Sequence, residues 1–172
     1  IVATGSAALQ PSVGGEAAFP VHSVDQALRA VPPKGSRVAV LGGGPTGAEA
    51  AHALAAQGSQ VILLEKRPRV GVGLIPHVRF HLLRLLEDEG VEVVTRVRRL
   101  EADGTSLRVV TRKDELRFDG IDLLVLATGR ESKGIDPAIK SGLRVEVITV
   151  GDALQPGSIL EALQGARRAV ED

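Results

Sequence analysis

Residues 37–47 read Arg-Val-Ala-Val-Leu-Gly-Gly-Gly-Pro-Thr-Gly, and this stretch decides the predicted fold. Residues 37–41 form an almost continuous apolar run, which is typical of a parallel-sheet strand that is covered on both faces. Pro45 suits the first position of a helix, where its missing N–H costs nothing. The stretch therefore predicts a buried strand, a tight glycine turn and the beginning of a helix.

The segments that follow the turn continue the same alternation. An alanine-rich helix is predicted over residues 48–57, and a second apolar strand is predicted over residues 60–65. A further helix is predicted to begin at Pro76, because apolar residues recur there at helical spacing, and a third strand is predicted over residues 91–94. Together these segments predict an α/β protein with a parallel sheet.

Residues outside this region carry weaker signals. Residues 95–118 are rich in charge and alternate in polarity, which predicts a meander of three antiparallel strands. Two capping-box patterns, Ser23 with Gln26 and Ser158 with Glu161, predict further helices. Short apolar strands are expected over residues 1–5, 121–127 and 145–150, and an unstructured linker is expected over residues 6–20.

The composition excludes several classes of function. The 172 residues include no cysteine, methionine, tryptophan or tyrosine, so no disulfide, thiolate nucleophile or cysteine-ligated metal can be built from them. The 21 basic residues balance 21 acidic ones, and aromatic residues make up 2%, which argues against nucleic acid or an anionic membrane as a partner. No apolar run approaches the roughly 20 residues of a membrane-spanning helix. We therefore expect a cytoplasmic protein.

The glycine turn has the pattern of a phosphate-binding loop. A dinucleotide places its pyrophosphate at a helix N-terminus, where free backbone N–H groups and the positive end of the helix dipole stabilise anionic oxygens. Gly42 would permit the tight turn, Gly44 would let the backbone approach the phosphates, and Gly47 would let the helix pack against the first strand. Pro45 and Thr46 complete the turn. We therefore predict that residues 42–47 bind a dinucleotide.

The residue at the end of the next strand bears on the choice of dinucleotide. Glu65 lies where a carboxylate would accept hydrogen bonds from the adenosine ribose hydroxyls, and this favours NAD(H), because the 2′-phosphate of NADP(H) would meet a like charge. Lys66, Arg67 and Arg69 follow directly and could instead bind that phosphate, or could be solvated loop charges. The sequence favours NAD(H) and leaves NADP(H) open.

Glu49, His77 and His81 could each have either a role in binding or a purely structural one. Glu49 is predicted to lie in the first turn of its helix, where the dipole stabilises a carboxylate, and a place beside a nicotinamide is the alternative. His77 and His81 are four residues apart on a predicted helix, as metal ligands often are. No third ligand accompanies them in the sequence, so we interpret both as exposed polar residues and predict no metal site.

Further motifs close the apolar strands elsewhere in the chain. Ala3-Thr4-Gly5 and Ala127-Thr128-Gly129-Arg130 each end such a strand, and Gly151-Asp152 follows a third. With the glycine turn and Glu65, these motifs resemble the NAD(P)-binding part of the flavin- and pyridine-nucleotide-dependent oxidoreductases over almost the full length of the chain. In that family the nicotinamide lobe is inserted into a split FAD lobe, between an Ala-Thr-Gly strand and a Gly-Asp strand.

The resemblance implies a fold and a domain organisation. The fold would be a Rossmann-like, three-layer FAD/NAD(P)-binding fold with a parallel sheet and a three-stranded antiparallel meander, plus remnants of the flanking FAD lobe. Residues 1–33 would be a strand and linker of that lobe, residues 34–134 the NAD(P)-binding domain, and residues 135–172 the returning strand and C-terminal helix. The ending is most similar to the trimethylamine dehydrogenase and 2,4-dienoyl-CoA reductase branch, which is old yellow enzyme-like.

The resemblance also implies roles for single residues and for partners. Gly129 would line the nicotinamide cleft, and Asp152 would contact the ribityl–phosphate chain of FAD. Glu49 matches a family glutamate beside the nicotinamide, but Pro45 replaces the aromatic residue that gates the site. The implied reaction is hydride transfer between NAD(P)H, held by this chain, and FAD, held in the parent protein. The remaining FAD lobe, with an FMN barrel or a partner subunit, would complete an enzyme that this chain does not form alone.

Two alternatives stay open. The chain could be a non-catalytic lobe that holds ADP or serves as a scaffold in a flavoprotein dehydrogenase, although its glycine pattern is intact. Residues 42–65 could also bind FAD, because the same fingerprint serves both cofactors. The order of the motifs along the chain argues against the FAD site.

Overall fold

The computed structural model of the chain describes residues 1–142 and 144–171. The strands are β1 (Ser6–Ala8), β2 (Gly14–Ala17), β3 (Val21–Ser23), β4 (Arg37–Leu41), β5 (Gln60–Glu65), β6 (Glu92–Thr95), β7 (Arg99–Gly104), β8 (Ser106–Val110), β9 (Glu115–Phe118), β10 (Leu123–Leu126) and β11 (Arg130–Ser132). The helices are α1 (Val24–Arg29), α2 (Pro45–Ala56), α3 (Pro76–Asp88), α4 (Pro137–Gly142) and α5 (Ile159–Glu171), with a short 3₁₀ helix at Gly151–Ala153. The chain divides into two units, residues 10–128 and residues 1–9 with 129–172.

A five-stranded parallel sheet, in the order β3-β10-β4-β5-β6, forms the centre of the larger unit. Its strands β4 and β5 have the predicted bounds. Val38 and Val40 of β4 pack with residues of α1, α2 and α3, whereas Ala39 between them packs with residues of a second sheet. Because alternate residues of one strand contribute to two cores, the strand needs apolar residues at successive positions.

The second sheet, in the order β2-β7-β8-β9, packs on the face of the parallel sheet that the helices leave open. Strands β7, β8 and β9 form the predicted antiparallel meander. The fourth strand, β2, pairs parallel with β7, so the prediction of an unstructured linker over residues 6–20 is wrong. β2 is exposed along its whole length and has no apolar alternation that could reveal it. In the larger unit, helices α1, α2 and α3 and the two sheets form three layers, which confirms the predicted fold class.

The smaller unit is built on a pair of short strands. β1 pairs antiparallel with β11, with Ala8 opposite Arg130, and the Leu9 N–H donates to the Gly129 carbonyl oxygen at 3.0 Å. The chain therefore leaves this unit and returns to it at adjacent points.

The strands predicted over residues 1–5 and 145–150 are wrong as regular strands. Val2 and Thr149 form only an isolated parallel bridge, and Val145 is exposed. A strand needs a neighbour along its length to pair its backbone groups, and neither segment has one among the residues that the structure describes.

The helix starts follow their predicted signals closely. Pro45 and Pro76 lie in the first turns of α2 and α3. A capping box formed by Ser23 and Gln26 begins α1. At the start of α5, the Ser158 N–H donates to the Glu161 carboxylate and the Glu161 N–H donates to the Ser158 hydroxyl. Among the described helices, none combines the length and the apolar character that a membrane crossing would require.

Candidate functional site

Close backbone packing requires glycine at both ends of the turn between β4 and α2. Gly42 has a φ of +112°, and a Cβ there would overlap the carbonyl oxygen of Ala127, at the end of β10. A Cβ on Gly47 would overlap the carbonyl oxygen of Gly42 and would lie 2.9 Å from the Cβ of Ala127. These contacts bring the turn, the first turn of α2 and the carboxyl end of β10 together, which is where ligands bind in open parallel sheets.

Gly44 differs from its neighbours because the space beside it is open. It is the N-cap of α2, with φ of −68° and ψ of −175°, and a Cβ there would meet no atom within 4 Å. The N–H groups of Gly44, Thr46 and Gly47 donate to no other residue that the structure describes, and no side chain caps the helix. Unpaired N–H groups at the positive end of a helix dipole are suited to binding an anion.

Glu65 is buried against the turn and holds its middle glycine. Its Oε2 accepts the Gly43 N–H at 2.6 Å, and its Oε1 accepts the Arg67 N–H at 2.6 Å. A Cβ on Gly43 would lie 2.9 Å from the Cβ of Glu65, so this third glycine is also required by packing. Only 5% of Glu65 is exposed, which means that the carboxylate supports the loop in addition to any role toward a ribose. The motif spacing singled out Glu65 but not its partner Gly43.

The loop after β5 packs on the turn from the other side. The Gly71 N–H donates to the Gly43 carbonyl oxygen at 2.7 Å, and Val70 is buried. A Cβ on Gly73 would lie 3.5 Å from the Cγ of Pro45, so the loop reaches the first residue of α2. These contacts enclose Gly43 while leaving Gly44 open.

Exposed cations follow Glu65, and the structure adds one that the motifs missed. Lys66, Arg67 and Arg69 are all exposed in the loop. The Arg96 N–H donates to the Arg67 carbonyl oxygen at 3.2 Å, and Arg96 has a φ of +61°, which is uncommon for a residue other than glycine. The strand order could have pointed to Arg96, because β5 and β6 are parallel neighbours whose carboxyl ends meet. Glu65 lies opposite Thr95, the residue before Arg96.

Glu49 and the histidines occupy simpler positions. Glu49 is the fifth residue of α2, so its predicted place in the first turn is wrong; the helix begins at Pro45, and its first turn contains no acidic residue. The side chain is exposed. His77 and His81 are exposed on α3, and the described residues contain no cluster of histidine, aspartate or glutamate side chains that could hold a metal ion.

Gly129 and Asp152 belong to the smaller unit. Gly129 has a φ of +124° and precedes β11, and a Cβ there would lie 3.3 Å from the Cδ1 of Leu9. Asp152 Oδ2 accepts the Ser6 hydroxyl at 2.7 Å, and Oδ1 accepts the Gly157 N–H at 3.2 Å. The hydrogen bond from Ser6, then that from Gly157 and the charge of Arg130, lower the pKa of Asp152. Asp152 is therefore held as a carboxylate in this unit.

Comparisons with known proteins place these observations in a family. Residues 1–152 match the family described as pyridine nucleotide-disulphide oxidoreductase. An NADH oxidase from Thermoanaerobacter brockii is 28% identical over 170 residues, covering 95% of this chain and 26% of that protein. The structure of a FAD-dependent pyridine nucleotide-disulphide oxidoreductase from Desulfovibrio vulgaris is 28% identical, with a TM-score of 0.60 over 84% of this chain and 38% of that one. Histamine dehydrogenase from Rhizobium sp. 4-9, at 20% identity, shares the fold, with a TM-score of 0.81 over 97% of this chain and 29% of that one.

The predicted cofactors are NAD(H), with NADP(H) left open, and FAD in the parent protein. NADH and FAD both occur in the names of these relatives. The chain spans about a quarter of the length of the NADH oxidase it matches. Its 172 residues include no cysteine, so the disulphide of the family name is not within them. With the match over residues 1–152, the chain belongs to the pyridine nucleotide-disulphide oxidoreductase family.

Proposed function

We propose that this chain is the nicotinamide-dinucleotide-binding part of a flavin-dependent oxidoreductase, and that it positions NAD(P)H for hydride transfer to or from a flavin. The observation that carries the proposal is the set of N–H groups on Gly44, Thr46 and Gly47, where α2 begins, that have no partner among the described residues. The open space beside Gly44 lets an anionic group approach them without meeting a side chain. Two linked phosphates suit such a site, because the amides and the helix dipole both favour negative charge.

Five of the predicted residues would contact the dinucleotide directly. Gly44, Thr46 and Gly47 would donate to the pyrophosphate, and Glu65 would accept from a ribose hydroxyl with the lone pairs that Gly43 and Arg67 leave unused. Glu49, exposed further along α2, is the proposed neighbour of the nicotinamide. A bound nicotinamide would supply the hydride chemistry. The chain itself would contribute binding and orientation, so none of these side chains needs to act as an acid or a base.

The choice between NAD(H) and NADP(H) depends on charge near Glu65. We propose NAD(H), because the Glu65 carboxylate would repel a 2′-phosphate. Lys66, Arg67 and Arg96 are the exposed cations that would pair with such a phosphate if NADP(H) binds instead. Arg67→Ala therefore separates the two ligands: a loss of affinity confined to NADPH would indicate the phosphate contact.

We infer that the parent protein resembles the trimethylamine dehydrogenase and 2,4-dienoyl-CoA reductase branch. The fold shared with histamine dehydrogenase and the small share of each relative that this chain covers support the inference. The partners would be the rest of an FAD lobe and an FMN barrel or partner subunit. Gly129 would line the nicotinamide cleft in that assembly, and Asp152 would contact the flavin's ribityl–phosphate chain.

Calorimetric titration of the purified chain with NADH, NADPH, ADP and FAD tests the proposed function. We expect NADH to bind with micromolar affinity and FAD to bind much more weakly. Equal affinity for ADP and NADH would indicate an ADP-holding scaffold instead, because the nicotinamide would then add nothing. Tighter binding of FAD than of NADH would contradict the proposal.

Gly44→Ala tests the site itself. Its φ and ψ suit alanine and a Cβ there would meet no protein atom, so the fold should be unchanged. The methyl group would occupy the space proposed for a phosphate, and we expect affinity for NADH to fall about tenfold or more. Gly134→Ala is the matched control, because a Cβ on Gly134 is also unobstructed and the residue belongs to the smaller unit rather than to the turn. Undiminished NADH binding by Gly44→Ala would place the ligand elsewhere.

A further inference from the structure

We infer that Arg79 is a positioning residue for the candidate phosphate site, and that it acts on the Gly44 N–H through two peptide groups. The inference rests on the proposed function, because it concerns how residues 42–47 would hold an anion. Arg79 lies on α3, remote in sequence from the glycine turn.

The first link joins Arg79 to the loop after β5. Its Nε donates to the Val70 carbonyl oxygen at 2.7 Å in a partly buried contact. Its Cγ lies 3.1 Å from the position that a Cβ on Gly71 would occupy, so the side chain packs closely against the backbone it bonds. The Val70 carbonyl and the Gly71 N–H belong to one planar trans peptide and point in opposite directions. Arg79 therefore holds one end of a peptide whose other end is the Gly71 N–H.

The second link joins that peptide to the turn. The Gly71 N–H donates to the Gly43 carbonyl oxygen at 2.7 Å. This oxygen shares a trans peptide with the Gly44 N–H, so directing the oxygen toward Gly71 directs the Gly44 N–H away from it. The space beside Gly44 is open, and its N–H is unpaired among the described residues. The guanidinium, the 70–71 peptide and the 43–44 peptide thus form one continuous hydrogen-bonded series that ends at the candidate site.

This series has two physical consequences for an anion at Gly44. Hydrogen bonds in series polarise one another by about 10–30% per bond, so a positive charge at one end makes the last N–H a stronger donor. The series also fixes the orientation of the 43–44 peptide before any ligand arrives, which lowers the entropic cost of binding. Glu65 fixes the neighbouring 42–43 peptide through the Gly43 N–H, so both peptides of Gly43 are held.

The experiment compares Arg79→Leu, Arg79→Lys and the control Arg84→Leu. The Arg84 side chain is exposed on the same helix and makes no hydrogen bond or ion pair with another side chain or backbone group in the described part of the chain. Binding of ADP and of adenosine is measured by NMR titration of the ¹⁵N-labelled chain, and the amide proton shifts of Gly44 and Gly71 are recorded without ligand. Adenosine lacks phosphates, so it reports on the rest of the nucleotide site.

We expect Arg79→Leu to weaken ADP about three- to tenfold, with adenosine affinity unchanged. The amide protons of Gly71 and Gly44 should move upfield, because the series is less polarised, and Arg79→Lys should restore much of both effects. Arg84→Leu should behave as the unmodified chain. Unchanged ADP binding by Arg79→Leu, or an equal loss of ADP and adenosine, would overturn the inference. Failure of the unmodified chain to bind ADP or NADH would instead overturn the proposed function, and the inference with it.

Discussion

Gly44 and Gly47 lie three residues apart in the same turn, yet they should respond to alanine in opposite ways. A methyl group on Gly47 would overlap the Gly42 carbonyl oxygen and crowd Ala127, whereas one on Gly44 would meet nothing. We expect Gly47→Ala to lower the free energy of unfolding by about 1–3 kcal/mol through overpacking. Gly44→Ala should leave it unchanged. Urea denaturation of both variants checks this, and equal stabilities would mean that the turn relaxes more easily than its contacts indicate.

Glu65 should matter to stability even when no nucleotide is present. Glutamine in its place offers one acceptor oxygen and an amide donor, so one of the N–H groups of Gly43 and Arg67 would face another donor in a buried position. We expect Glu65→Gln to cost about 1–3 kcal/mol in the free energy of unfolding. The exposed Glu49→Gln serves as the control, and denaturant titration of the ligand-free chain measures both. A Glu65→Gln variant as stable as the control would show that the two backbone contacts contribute little.

Among single residues, the sequence singled out those that local backbone geometry requires. The spacing of Gly42, Gly44 and Gly47 predicted a role for each. Backbone packing restricts Gly42 and Gly47, whereas the space beside Gly44 is open. The contacts of Arg79 with Val70 and of Glu65 with Gly43 were not predictable, because they depend on how a loop without apolar periodicity folds back on the turn. No sequence spacing rule predicts a hydrogen bond between a side chain and a backbone oxygen nine residues away.

Elements were predictable where burial imposes a pattern. Strands β4 and β5 are buried on both faces and therefore read as apolar runs, and the helices begin at prolines or capping boxes. Strand β2 is fully exposed and forms by backbone pairing with β7. Its residues therefore show no apolar pattern from which a strand could be predicted. Residues 145–150 show the reverse case, since they are apolar enough for a strand but pair only through Thr149.

The contact of the 3₁₀ helix with β1 should weaken in acid. Hydrogen bonds from Ser6 and Gly157 lower the pKa of Asp152 below the value of an unfolded aspartate, about 3.9. The carboxylate therefore stabilises the fold at pH values above about 4, and this contribution is lost as the pH falls through the lowered pKa.

The difference in melting temperature between the unmodified chain and Asp152→Asn measures this contribution. We expect the difference to be constant above about pH 5 and to shrink as the pH is lowered toward 2. Ser6→Ala should reproduce part of the Asp152→Asn effect, because it removes the main donor. A difference that does not change with pH would contradict the assignment.

Over the whole molecule, burial is distributed very unevenly. The two cores of the larger unit contain the buried apolar residues of β4, β5 and β10, whereas no residue of α5 is buried, and Ile159, Leu160 and Leu163 are exposed. Local opening needs little free energy where few apolar contacts must be broken. We therefore expect the amides of β4, β5 and β10 to exchange with solvent deuterium slowest, and those of α5 to exchange faster than those of α2 and α3.

Hydrogen exchange followed by mass spectrometry checks this order in the isolated chain. The same measurement on a longer protein that supplies the rest of an FAD lobe should show new protection in α5, because its exposed apolar residues would gain a partner. Strong protection of α5 in the isolated chain would contradict the expected order.

The hydrogen bond between Leu9 and Gly129, together with the pairing of β1 and β11, has an architectural consequence. Residues 10–128, a stretch of 119 residues, therefore start and finish beside a hydrogen-bonded pair of the smaller unit, as a segment inserted between two neighbouring strands does. A tight hairpin turn between Ala8 and Arg130 could close the gap if this segment were removed. Residues 10–128 could therefore be replaced as a whole during evolution without any change in β1 and β11.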